Sequence, residues 1–394
     1  MGVDTNPKKI KDLLTRGIDE VIDFSHLERE LLSGKKLRVK LGIDPTSPNL
    51  HLGRSVPLLK LRDFQELGHQ VVFIIGDFTA LIGDASDKSS ERPVLTDKQI
   101  KKNLETYISQ VERILDISKT EVRYNSEWLG KLDYKEIGEQ ADIFSLAEFI
   151  ARKNIKNRLK TENRISLREL LYPLMQGYDS VAIKADVELG GTDQKFNLLA
   201  GRRLQEHFSQ EPQDIMTVNL INGLDGKKMS SSWGNTINFL DLPKEMFGKI
   251  MSMVDGMIIT YFEHCTRVPM AKVKRFEKQL SDNRVNPRNI KMELAYEITK
   301  LYWGEKGAKE GKDYFVSVIQ HKNIPDGIPE IKITSVNIID ALVKSNLAKS
   351  KSDARRLIKQ GGVKVDGKAI KTFDKIINKG NIIQKGSRHF VKII

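Results

Sequence analysis

Apolar residues alternate at Leu37, Val39 and Leu41 in KLRVKLGI (36–43), the period of a β-strand. RSVPLLKLRDFQELG (54–68) then carries the pattern of an amphipathic helix closed by Gly68. QVVFIIGDF (70–78) is a continuous apolar run between Gly68 and Gly76, as expected of a parallel strand buried on both faces. Strand, helix and strand together predict a right-handed crossover that opens a doubly wound sheet. The polar stretch GDASDKSSERPVLTDK (83–98) predicts a loop, and helical patterns follow at about 97–116 and 141–160. SLRELLYPLMQGYDSVAI begins with Ser166 and Glu169 in capping-box register. ADVELGGTDQKFNLLAGRRL reads as a strand, a Gly-Gly turn and a helix. Residues from about 240 to 320 pattern as helices broken at Pro269 and Pro287, and NIPDGIPEIKI (323–333) reads as a linker. From Ser335 a helix-rich module ends in short strands such as GVKVDGKAI.

The expected fold class is α/β: a doubly wound, Rossmann-like parallel sheet, then an α-helical domain, then a small α+β domain. The expected boundaries are 1–225 for the sheet domain with a helical insertion at about 85–165, and 226–325 for a flexible loop and the helical domain. A linker at 326–334 and a basic domain at 335–394 complete the chain. With 394 residues, 39% hydrophobic and 30% charged, the composition fits a soluble globular protein. No apolar run nears the roughly 18 residues of a membrane span, and the N-terminal stretch has no signal-peptide core. Asn6 stands where myristoylation after Gly2 expects Ser or Thr. Cys265 is the only cysteine, which excludes an internal disulfide and a cysteine-based zinc site and points to a reducing, cytoplasmic setting.

Charge changes the picture once it is located. Residues 335–394 hold 14 Lys/Arg against 4 Asp/Glu, so most of the net +13 lies there. Such an imbalance in a short segment fits a polyanion such as nucleic acid, with a merely solvated face as the alternative. ARKNIKNRLKTENR (151–164) has six basic residues and one acid, and reads either as a nucleic-acid contact or as an ordinary solvated helix.

Four polar clusters carry candidate chemistry. In GIDPTSPNLHLGRS, Asp44-Pro45-Thr46 ends the first strand and His51 leads into the helix, at the carboxyl edge where doubly wound sheets bind ligands. Helix-start N–H groups favour phosphate, Gly53 permits close approach of a ring, and His51 can donate to a phosphate oxygen or simply cap the turn. LDGKKMSSS (224–232) places Lys227 and Lys228 among hydroxyls on a glycine-flanked loop, which suits closure over a triphosphate or plain solvation. Tyr172, Gln176 and Asp179 fall on one helical face amid apolar neighbours, with Gly177 beside them, so neighbours or a polar ligand must satisfy them. ELGGTDQKFN puts Asp193 at a helix start, where it complements the dipole or grips ribose hydroxyls.

The four motifs HLGR, LYPLMQGYD, GGTDQ and KMSSS, in this order, resemble the class I aminoacyl-tRNA synthetases and among them the tyrosyl-tRNA synthetase family. The basic tail is similar to the small RNA-binding module named after the fourth small-subunit ribosomal protein. The resemblance spans nearly the whole chain and implies a tyrosine–tRNA ligase that uses ATP with Mg²⁺, L-tyrosine and tRNA(Tyr). It implies that His51 and Thr46 bind the γ-phosphate side of ATP, and that Lys228, Lys227 and the loop residues Met229, Ser230, Ser231 and Ser232 neutralise the leaving pyrophosphate. Asp44, Leu52, Gly53, Arg54, Gly191 and Asp193 would line the nucleotide. Gln194 would lie near the amino acid's carboxylate, while Asp84, Tyr172 and Gln176 would hold its α-ammonium. Asp179 would accept the phenol hydroxyl. The helices at 240–320 would face the anticodon arm, the tail the tRNA body, and 151–164 the acceptor arm. The family further implies a homodimer, joined through the helices inserted after the first βαβ half.

Three positions depart from the family's pattern. Arg54 replaces the second histidine of His-x-Gly-His, and Ser231 replaces the second lysine of Lys-Met-Ser-Lys-Ser, with Lys227 as a substitute charge. Lys40 stands where many relatives place a tyrosine that helps bind the phenol hydroxyl, which leaves Asp179 as the main discriminator. The alternatives are a tryptophanyl-type synthetase and a catalytically inactive, synthetase-like RNA-binding protein.

Overall fold

A computed structural model describes residues 2–84, 86, 95–229, 233–320, 328–333, 336–386 and 389–394. The chain divides into two compact units, Met1–Leu242 with Lys249–Gly304, and Pro243–Gly248 with Glu305–Ile394.

The first unit is built on a six-stranded sheet. Its strands are β1 (Ile18–Val21), β2 (Arg38–Ile43), β3 (Gln70–Ile75), β4 (Thr120–Tyr124), β5 (Val187–Gly191) and β6 (Asp214–Val218). Their order is β1-β6-β5-β2-β3-β4, and every pairing is parallel except β1 against β6. The predicted crossover is present as β2, the Leu52–Glu66 helix and β3, and Val71 to Ile75 are all buried. From β2 the chain builds outward to β3 and β4, then returns to lay β5 on the other side of β2. This reversal opens a crevice between the carboxyl ends of β2 and β5, where ligands of such sheets bind.

Three strands of this sheet, β1, β4 and β6, are not evident from the sequence pattern. β4 lies inside the 85–165 stretch expected to be a helical insertion, and β1 is a four-residue antiparallel edge. Both edge strands are short and charged, TEVRY and IDEV, so neither shows a clean alternation. The pattern at 97–116 resolves into Asp97–Leu104 and Tyr107–Val111, and that at 141–160 into Leu146–Ala151 and Lys153–Lys160. The Leu167–Ile183 helix has the expected capping box from Ser166 and Glu169 and runs on through Pro173. It packs on the Lys195–His207 helix, where a side chain on Gly177 would collide with the Leu204 side chain and crowd the backbone of Ala200 and Gly201. The helices Ile258–Cys265 and Met270–Ser281 follow, the latter capped by Pro269, and Pro287 opens the next.

In the second unit the Ile338–Lys344 and Lys351–Lys359 helices cover a small sheet that includes Val363–Val365, Ile382–Lys385 and His389–Ile393. Ile338, Leu342, Ala354, Ile358, Val363, Ile383 and Ile393 form its core. Within the predicted linker, Glu330–Ile331 is a strand paired in parallel with His389–Ile393, and Lys392 is ion-paired to Glu330. Positions 326, 327, 334 and 335 of the linker and tail lie outside the described residues. Among the described residues, no helix is long and apolar enough to cross a membrane.

Candidate active site

Two chains of hydrogen bonds, buried or half-buried, meet the crevice between β2 and β5. The first starts at Asp44, one residue past the end of β2. Its carboxylate accepts from the Tyr172 hydroxyl at 2.9 Å and from the Thr79 hydroxyl at 2.7 Å. A side chain on Gly76, at the end of β3, would collide with that carboxylate and with Thr79, so the close approach requires glycine. Thr79 accepts from Asn125 Nδ2 at 2.9 Å, and Asn125 Nδ2 also reaches Asp179 Oδ2 at 3.5 Å. The Trp128 indole N–H donates to Asp179 Oδ1 at 2.8 Å. Burial pushes the Asp179 pKa up to about 7, against the opposing pull of Lys40, Trp128 and Asn125. Burial and the nearby Asp44 charge hold the Tyr172 phenol protonated, well above its ordinary value. Because Tyr172 spends its proton on Asp44, its oxygen is left as an acceptor.

The second chain runs from Asp84 to Lys40. Asp84 accepts from Gln194 Nε2 at 2.8 Å and from Ser86, whose hydroxyl in turn accepts from Arg152 at 3.1 Å. Asn197 Nδ2 donates to Gln194 Oε1 at 3.1 Å and to Gln176 Oε1 at 3.0 Å. Gln176 Nε2 donates to Glu188 Oε1 at 3.2 Å, and Glu188 is ion-paired with Lys40 at 3.1 Å. Acid or amide, every member is fixed in direction by the carboxylate at either end, since a carboxylate only accepts.

The helix start carries a third feature. His51 caps the Leu52–Glu66 helix through Nδ1, which accepts from the Gly53 N–H at 3.2 Å. Burial, aided by the Arg54 charge, lowers the His51 pKa to about 4, so the ring is neutral at pH 7. With Nδ1 accepting, its single proton sits on Nε2, a donor suited to a phosphate oxygen. The Gly53 N–H also lies 3.3 Å from Met229 Sδ, which brings the Lys227–Lys228–Met229 loop against the helix start. Asp225 and Asn235 shape that loop through Lys227 N–H and the Lys228 carbonyl. An open cavity of about 790 Å³ lies beside the second chain, bordered by Ser86, Arg152, Asn157, Asp193 and Phe196.

The structure therefore joins residues of all four motifs. Asp44 meets Tyr172, Gln194 meets Asp84 and through Asn197 also Gln176, and Gly53 meets Met229. Thr46 and Arg54 are half-buried at the same edge, Gly191 ends β5, and Lys227 and Lys228 are exposed. Leu52 is fully buried, with its N–H bonded to the Ile237 carbonyl, so it packs the helix start. Lys40 is buried beneath the crevice with its ammonium on Glu188, Ser180 and the Gln176 backbone carbonyl. Ser230, Ser231 and Ser232 lie outside the described residues. Thr79, Asn125 and Trp128 join these chains from outside every quoted motif, and Glu188 and Asn197 are the end residues of ELGGTDQKFN that the sequence pattern does not single out. Asn125 and Trp128 follow β4 at the sheet's carboxyl edge, and recognising that strand is the signal that would have exposed them.

Known proteins resemble the chain along nearly its whole length. The family model described as tRNA synthetases class I (W and Y) matches residues 32–320, and a Tyrosine--tRNA ligase SYY-like C-terminal domain matches 320–391. The chain is 45% identical to the Tyrosine--tRNA ligase of Thermotoga maritima over 98% of both chains. It is 46% identical to Tyrosine--tRNA ligase 2 of Clostridium acetobutylicum over 97% of both. In fold it is similar to a C-terminally truncated mitochondrial tyrosyl-tRNA synthetase of Aspergillus nidulans, with a TM-score of 0.65 at 21% identity over 80% of this chain and 93% of that one. The Archaeoglobus fulgidus tyrosyl-tRNA synthetase, solved with L-tyrosine, gives 0.63 at 22% identity over 78% of this chain and 100% of that one.

Proposed function

This chain belongs to the class I tRNA synthetases of the tryptophan and tyrosine family, and from that premise we infer that it is a tyrosine–tRNA ligase. Its substrates are L-tyrosine, ATP and tRNA(Tyr). A carboxylate oxygen of tyrosine attacks the α-phosphorus of ATP, the bond to the bridging oxygen breaks, and pyrophosphate leaves. A terminal ribose hydroxyl of tRNA then attacks the acyl carbon of tyrosyl-adenylate and AMP leaves. No side chain acts as nucleophile, so the residues work by positioning and by placing charge.

The observation that carries the tyrosine reading is Asp179. It is buried, oriented by Trp128 and Asn125, and provides an acceptor for a phenol hydroxyl. We assign the α-ammonium to Asp84, the Tyr172 oxygen and the Gln176 side-chain carbonyl, all acceptors. The tyrosine carboxylate lies near Gln194, the ribose near Asp193 and Gly191, and the nucleotide against Gly53 and Arg54. Neutral His51, with Thr46, donates to the phosphates, and Lys228 with Lys227 draws off charge as pyrophosphate departs. Among the described residues no cluster of three or more His, Cys, Asp or Glu could hold a metal ion. The donors at hand suit phosphate, and Mg²⁺ carried by the ATP would add charge neutralisation at its phosphates.

The cavity beside Arg152 and Phe196 is offered to the tRNA end, with 151–164 along the acceptor arm, 240–320 towards the anticodon arm and the tail on the tRNA body. Exposed Tyr134 and Leu146 in the helices inserted after the first βαβ half, with Leu167 just beyond them, favour a homodimer through those helices. A single, buried cysteine suits a cytoplasmic setting. ATP–pyrophosphate exchange tested with each of the twenty amino acids checks the central reading. Exchange with tyrosine alone is expected; exchange with tryptophan instead, or with none, overturns it.

A further inference from the structure

We propose that the Lys40–Glu188 pair is a positioning device that fixes which way the Gln176 carboxamide points, leaving its oxygen as the acceptor for the amino acid's α-ammonium. This rests on the functional reading above and deepens it. Lys40 and Glu188 are register partners on β2 and β5, the two strands that flank the crevice, and each side chain is 1% exposed. They form the layer directly beneath the site.

Glu188 is the key acceptor. Its Oε1 takes both the Lys40 ammonium and Gln176 Nε2, and its Oε2 takes the Ser180 hydroxyl at 3.2 Å and Gln213 Nε2. Amide ends are interchangeable in shape, so only partners decide their orientation. A carboxylate cannot donate, so the Gln176 NH₂ must face it and the Gln176 oxygen must face away, toward Asn197. Reversal would set the carboxamide oxygen against a carboxylate and its NH₂ against the Asn197 NH₂. An ammonium meeting the reversed amide would find a donor instead of an acceptor.

Lys40 makes a buried Glu188 charge tolerable and braces the helix at two points. Its ammonium donates to the Gln176 backbone carbonyl at 3.0 Å and to the Ser180 hydroxyl at 2.6 Å. These flank Asp179 on the same turn. The two charges act on Asp179 in opposite directions, so removing both together leaves its electrostatic setting closer to balance than removing either one. The charge at position 40 thus reaches the ammonium end of the amino acid through Glu188 and Gln176, beside its pull on Asp179.

The test uses the full-length chain with Glu188→Gln and Lys40→Met/Glu188→Gln, the double variant avoiding an unpaired buried lysine. Glutamine at 188 can either donate or accept, so the Gln176 orientation then rests only on Asn197, held from Asp84 through Gln194. Tyrosine-dependent pyrophosphate exchange is measured alongside inhibition by 3-(4-hydroxyphenyl)propanoate, which is tyrosine without its ammonium. The preference for tyrosine over this analogue is expected to fall on the order of tenfold, the worth of one hydrogen bond to a charged group. The loss appears in KM for tyrosine, while KM for ATP and the tyrosine/phenylalanine ratio are kept. If the ammonium preference survives in the double variant, or if both preferences fall together, the proposal is overturned. A wild-type chain without tyrosine-dependent exchange overturns the functional reading itself, and this inference with it.

Discussion

In the proposed function the crevice between β2 and β5 and the C-terminal unit recognise their ligands by opposite means. In the crevice most polar groups are buried or half-buried and wired to another, so that direction is fixed before a ligand arrives. On the C-terminal unit the apolar residues are spent on a small core, and Arg355, Arg356, Lys359, Lys368, Lys371 and Lys375 all face water. The first arrangement distinguishes one hydroxyl or one ammonium from its absence, because a mismatch strands a buried group. The second is suited to a polyanion such as the proposed tRNA, held through charge with little demand on geometry. One chain therefore combines a discriminating site with a permissive one.

The largest expected effect is on discrimination. A site built to bond a substrate hydroxyl rejects the analogue lacking it by about 10⁴–10⁵, tyrosyl enzymes being themselves the type case of that range. Asp179→Ala should remove most of this ratio, read as kcat/KM for tyrosine over phenylalanine in pyrophosphate exchange. An unchanged ratio would show that the crevice does not discriminate through Asp179.

Next comes stability. Arg158 and Glu169 are an ion pair buried at the start of the helix that carries Tyr172, Gln176 and Asp179. Arg158→Met leaves Glu169 buried and unpaired, at a cost of about 3–5 kcal/mol, measurable by urea unfolding. The same change at exposed Arg355 should leave unfolding unaltered.

A smaller effect follows from protonation. Asp179 titrates near pH 7, and only its ionised form is purely an acceptor for the phenol. Tyrosine KM should be flat above pH 7 and rise about tenfold per pH unit below it, whereas Asp179→Asn should flatten the profile. His51, with its pKa near 4, contributes nothing to that slope.

The smallest effect concerns the tail. Alanine at Arg355, Arg356 and Lys359 should lower the salt slope of tRNA binding by about 0.9 for each phosphate no longer neutralised, and leave pyrophosphate exchange untouched. A change in exchange instead would break the division between the two modes.

The same division decides what the sequence disclosed. Local signals were legible: the strand, helix and strand over 36–75, the Ser166–Glu169 capping box, the Gly-Gly turn before Asp193, and the basic tail. Each is written in neighbouring residues. The wiring was not, because its partners are far apart in the chain. Glu188 lies 148 positions from Lys40, and their pairing exists only once β2 and β5 are side by side. Asn125 and Trp128 reach Asp179 across more than fifty residues, from a turn after an edge strand too charged to be read as one. Lys40 differs from the tyrosine that the family resemblance implies at this position, but from one dimension its ammonium has no visible destination.

The most direct test is a crystal structure of the chain with a non-hydrolysable tyrosyl-adenylate analogue. The ligand should lie across the carboxyl ends of β2 and β5, its phenol oxygen within about 3 Å of Asp179, its ammonium on the Gln176 carboxamide oxygen and its ribose at Asp193. An adenylate seated elsewhere, or a phenol pointing away from Asp179, would contradict the account.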